Sequence, residues 1–114
     1  MHRLLLALAG LFGALGVAAS AAGSHGVETN LSTAGTFLLI HAAALIGLSA
    51  WRDNRAALIA SGVLAVGVIV FAGDLAMRAR AGTPLFPMAA PIGGGVMILG
   101  WLGVAVAGFW KPGA

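Results

Sequence analysis

Asp74 stands inside a long apolar run, GVIVFAGDLAMR from Gly67 to Arg78. An ionised carboxylate in hydrocarbon is expensive, so it needs a partner, a water path or a neutral form. Arg78 follows four residues later, the favourable order for an i,i+4 pair on a helix. Its long stem can reach the headgroups while holding the carboxylate. His41 is the other titratable side chain set among apolar residues, and His25 and Glu28 stand in the polar stretch GSHGVETNLST from Gly23 to Thr33. These residue types admit three chemistries. In the first, Asp74 and Arg78 form a structural pair and His41 is an interior histidine bonded to a backbone carbonyl, Thr36 or Trp101. In the second, His41 and Asp74 titrate along a path for protons or a small solute. In the third, His25 and His41 ligate haem or a metal, with Glu28 or Asp74 as an oxygen ligand. This last reading lacks any HxxxH spacing, and its two histidines belong to different depths.

Several other chemistries fail on residue type alone. Cysteine is absent, which removes disulfides, thiolate metal sites and haem attachment through CxxCH. The Gly93, Gly94, Gly95 triplet has no GxxxxGK[ST] pattern and no strand before it, so it reads as the close-packing start of a helix rather than a phosphate loop. Ser24, His25 and Glu28 are hydrolase residue types, but a serine beside a histidine in sequence is no triad without geometry. The isoelectric point near 11.4 rests on a net charge of only +3, carried by six basic residues scattered between apolar runs. A nucleic-acid face needs them clustered, so no nucleic-acid partner is expected and the charge reads as topology.

What must hold these groups is a membrane. Hydrophobic residues make up 61% of the 114 and charged residues 8%, too little polar matter to cover a water-soluble domain. Four apolar runs are expected as helices, approximately 4–22, 34–51, 56–77 and 91–110, in one transmembrane domain. The first would extend about 28 Å, just enough to cross the hydrocarbon. Arg3, the leucine-rich core and Ala18 to Ala21 also fit a secretory signal, but Gly10, Gly13 and Gly16 with Ala14, Ala18 and Ala22 have a second use, letting another helix come close. The second run ends at Trp51, suited to a membrane boundary, and the charged turn Arg52, Asp53, Asn54, Arg55 joins it to the third. Gly82, Pro84 and Pro87 break the chain after Arg78 and Arg80. Pro91 then suits the first turn of the last helix, and Trp101, halfway along it, needs a partner for its indole N–H.

An even number of crossings puts both termini on the side of the Arg52 to Arg55 turn. That side carries Arg3, Arg52, Arg55 and Lys111, against Arg78 and Arg80 opposite, so the positive-inside rule places both ends in the cytoplasm. Folded up and down, the chain brings His25, Glu28, His41, Asp74, Arg78 and the glycine triplet into the outer half of an all-α, integral membrane four-helix bundle.

The motifs AAGSHG at Ala21 to Gly26, FLLIHA at Phe37 to Ala42, GVIVFAGDL at Gly67 to Leu75 and APIGGGVMILGW at Ala90 to Trp101 resemble, in this order, the small membrane proteins grouped as DUF423, which include the animal transmembrane protein 256. The likeness covers nearly the whole chain. Ala22, Ser24, Ala72 and Ala76 depart from the commoner family residues, several replacing an aromatic or a hydroxyl by something smaller. The resemblance implies a four-helix inner-membrane protein and gives no reaction. It singles out His25, Gly26, His41, Gly73, Asp74, Pro91, Gly93, Gly94 and Trp101.

The expectation for function is therefore a non-enzymatic inner-membrane component, self-associating or accessory to a larger complex, with the lipid bilayer as its surroundings. No catalytic residue, metal or cofactor is assigned. A proton or small-solute transporter or channel using His41 and Asp74 is the alternative, and a haem- or metal-binding membrane protein is the third reading.

Overall fold

A computed structural model describes residues 2–24 and 29–110. Four helices account for nearly all of them: α1 (His2–Ser24), α2 (Thr29–Ser49), α3 (Arg55–Ala81) and α4 (Ala89–Ala107). Each is long and apolar enough to cross a membrane. In hydrocarbon every backbone group must bond within the segment, which a helix achieves by itself.

The side chains are sorted by size rather than by polarity. Buried positions are dominated by small residues, among them Ala9, Ala34, Ala42, Ala57, Ala60, Ala65 and Ala72, while Leu11, Leu15, Ile40, Ile59, Ile69, Leu99 and Leu102 face outward. Lipid tails are as apolar as leucine, so nothing drives large aliphatic groups inward, and helices associate by letting their backbones approach.

That approach is made within two hairpins. Between α1 and α2, a Cβ added at Gly16 would lie 3.0 Å from the Leu39 nitrogen, and one at Gly35 would lie 2.7 Å from the Ser20 nitrogen. Between α3 and α4, a Cβ on Gly67 would lie 2.8 Å from the Met97 nitrogen, and one on Gly100 would lie 3.0 Å from the Leu64 nitrogen. The hairpins meet along α2 and α3, where Phe37 and Phe71 pack with ring centroids 4.7 Å apart. Among the described residues, α1 and α4 make no backbone approach to each other.

Helix limits differ from the expected ones for identifiable reasons. α2 starts at Thr29 rather than Ala34. Its polar first turns stay helical, and Thr36 returns its hydroxyl to the Ser32 carbonyl at 3.1 Å, a local bond that satisfies a polar group inside a helix. α3 runs on to Ala81 and ends on Gly82, whose φ of 73° is the left-handed conformation glycine adopts without strain. α4 begins at Ala89, two residues before Pro91, which still lies in the first turn where its missing N–H is not needed. It ends at Ala107 rather than 110: the N–H groups of Phe109 and Trp110 bond three residues back, to Val106 and Ala107, the tighter turn common at helix ends.

Asn54 joins the turn to the opposite helix end. Its Oδ1 caps α3 by accepting the Ala57 N–H at 2.9 Å, and its Nδ2 donates to the Ala107 carbonyl at 3.0 Å. Asn54→Ala is expected to cost about 1–2 kcal/mol, at the upper end for a helix cap, because it also frees the end of α4. Thermal unfolding in one detergent, compared with Asp53→Ala, checks this.

Candidate functional site

Two polar centres occur where the sequence suggested one. The first closes the far end of α3. Asp74 is fully buried; its Oδ2 accepts from Arg78 Nε at 2.9 Å and its Oδ1 accepts the Leu85 N–H at 2.8 Å. The i,i+4 pair is thus present, and the same carboxylate also fastens the 82–88 connection back onto α3. Asp74 lies seven residues from Ala81, roughly 10 Å of helix. Since α3 is about 40 Å long against a hydrocarbon core of about 30 Å, the carboxylate sits close to the edge of the apolar layer. Arg78, with 43% of its side chain exposed, extends from there toward the headgroups.

The second centre is deeper. His41 is buried; its Nδ1 lies 2.8 Å from the Phe37 carbonyl and its Nε2 accepts the Trp101 indole N–H at 3.1 Å. A carbonyl only accepts and an indole only donates, so the two partners fix the ring as the tautomer with its hydrogen on Nδ1. Phe37 stacks near the imidazole at 6.2 Å and Trp101 tilts against it at 5.6 Å. The need for a Trp101 partner, inferred from its depth, is met by this bond. Because α2 begins early, His41 lies about 18 Å from that end of the helix.

The two centres do not touch. Phe37 faces Phe71; His41 is four residues beyond Phe37 and Asp74 three beyond Phe71 in the antiparallel sense, which separates them by roughly 10 Å along the helices. The sequence-derived cluster therefore divides into Asp74 with Arg78 and His41 with Trp101. His25, Gly26 and Glu28 lie outside the described residues. Among the described residues no three His, Cys, Asp or Glu side chains converge as a metal site would require.

Within the Gly93 to Gly95 triplet, Gly93 is the close-packing position, where an added Cβ would come within 2.6 Å of the Phe71 nitrogen. Gly94 and Gly95 have nothing within 4 Å, and a Cβ on Gly73 would meet only Leu85 at an ordinary 3.6 Å. Pro91 is exposed in the first turn of α4. The residues sequence reasoning missed are Asn54, Leu85 and the Phe37–Phe71 pair. Asn54 alone carried a signal, as a capping residue directly ahead of an apolar run.

Four apolar helices with buried, internally partnered polar groups define a small polytopic α-helical membrane protein. The chain belongs to the family described as a protein of unknown function, DUF423, whose model matches residues 5–94. It is 31% identical over 112 residues to a UPF0382 membrane protein of Haemophilus influenzae (strain ATCC 51907 / DSM 11121 / KW20 / Rd), covering 92% of this chain and 90% of that relative. No solved structure matches it.

Proposed function

We propose that the chain is a non-enzymatic component of the inner (plasma) membrane, with both ends on the cytoplasmic face, that associates with itself or with a larger membrane complex. The observation that carries the non-enzymatic reading is that each oxygen of Asp74 and each ring nitrogen of His41 already has a partner within the chain. Partners of this kind satisfy buried polar groups as structural hydrogen bonds do, and Phe37 with Phe71 stands between the two centres. Association is supported by exposed Gly10, Gly47 and Gly62, none with a neighbour within 4 Å of an added Cβ. Bare helix backbone facing outward is where a helix of a second protein packs closely.

Crosslinking in native membranes is expected to recover dimers or larger species; monomer alone would overturn the association. In proteoliposomes, His41→Ala and Asp74→Asn are expected to lower thermal stability while proton flux stays at the wild-type level. Lost flux in variants that remain folded would favour transport through His41 and Asp74 instead. An absorbance spectrum and metal analysis of the purified protein test the haem or metal reading.

A further inference from the structure

A groove of about 410 Å³ lies between α1, α2 and α3, within the usual range for small-ligand sites of roughly 300–1,000 Å³. Its walls are apolar, including Leu15, Ala18, Leu38, Ile69 and Ala76, and among the described residues the one charged side chain lining it is Arg80. It exists because the walls carry alanines where larger side chains would fill the space. Leu15, Ala18 and Ile69 are exposed, so it opens sideways to lipid.

We propose that this groove holds one acyl chain of an anionic phospholipid, with the lipid phosphate on the Arg80 guanidinium. Length is the first argument. From Ile69 to Arg80 the groove follows α3 for roughly 16 Å, the depth of a single leaflet of a core about 30 Å thick. Buried Phe12 lines the inner part. Charge is the second argument: Arg80 is exposed at the outer end of α3, and among the described residues no carboxylate pairs with it, whereas Arg78 is held by Asp74. An unpaired guanidinium beside an apolar groove attracts a lipid phosphate by its charge and by its paired N–H donors.

The test reconstitutes the protein in mixed phosphatidylglycerol and phosphatidylcholine vesicles and measures retained lipid by native mass spectrometry after extraction. Wild type should retain phosphatidylglycerol in preference. Arg80→Gln should lower that preference by about fivefold, while Arg52→Gln, at the opposite end of the molecule, should leave it unchanged. Ala18→Phe, a change at an exposed position checked for folding by thermal unfolding, should lower retention of both lipids. Equal retention of the two lipids by wild type, equal effects of the two arginine variants, or unchanged retention in Ala18→Phe would overturn the proposal. So would disulfide-linked dimers of Ala18→Cys in native membranes. That outcome would place a second copy in the groove, and it would leave the association proposed above standing.

Discussion

Gly93→Ala is expected to destabilise the protein by about 1–3 kcal/mol, the usual cost of forcing a methyl group into a filled contact. The added carbon would lie 2.6 Å from the Phe71 nitrogen and 2.9 Å from its Cα. Those are backbone atoms of α3 and cannot rotate away, so α4 must shift outward along the whole hairpin. Met97 and Gly67, which meet one turn further on, would separate with them. Gly94→Ala and Gly95→Ala are the internal controls. Neither position has a neighbour within 4 Å, and alanine is the better helix former by up to about 1 kcal/mol, so both should be neutral or mildly stabilising. Thermal unfolding in a single detergent separates the three variants. Similar melting temperatures for all of them would mean that α3 and α4 are not in contact at Gly93.

Asp74→Ala is expected to lower the melting temperature by on the order of 10 °C and to open the 82–88 connection to proteases. The change removes two bonds at once, leaving the Leu85 N–H without its acceptor in a setting where an unpaired amide is costly. Asp74→Asn should fall between, since its amide oxygen can still receive Leu85 while its NH₂ confronts the guanidinium of Arg78. Arg78→Gln should be milder than Asp74→Ala, because a glutamine NH₂ can still donate to the Asp74 carboxylate and the Leu85 bond is kept, and it should leave the loop resistant to cleavage. If Arg78→Gln exposed the loop as readily as Asp74→Ala, the ion pair rather than the Leu85 bond would be the fastening.

Much of this architecture was legible in the chain, and the boundary of legibility has a physical basis. Four crossings followed from run length and composition, because lipid rewards continuous apolarity. The bond between Asp74 and Arg78 followed from helical spacing, and the need of Trp101 from its depth. The choice among Gly93, Gly94 and Gly95 did not follow. Successive residues on a helix point about 100° apart, and a helix apolar on every face carries no polarity to mark which direction is inward. The Leu85 contact with Asp74 was equally hidden, since it depends on the path taken by the chain between Gly82 at φ 73° and Met88 at φ 67°. The bond from Asn54 to Ala107 joins residues 53 positions apart, beyond the reach of any local pattern.

The hairpin arrangement bears on how the molecule is made. Glycine seams lock each pair of neighbouring helices, and the larger rings of Phe37 and Phe71 mark the line where the pairs meet. The leading pair can therefore leave the ribosome, enter the bilayer and zip shut before the trailing pair has been translated, leaving the aromatic seam as the last joint to close.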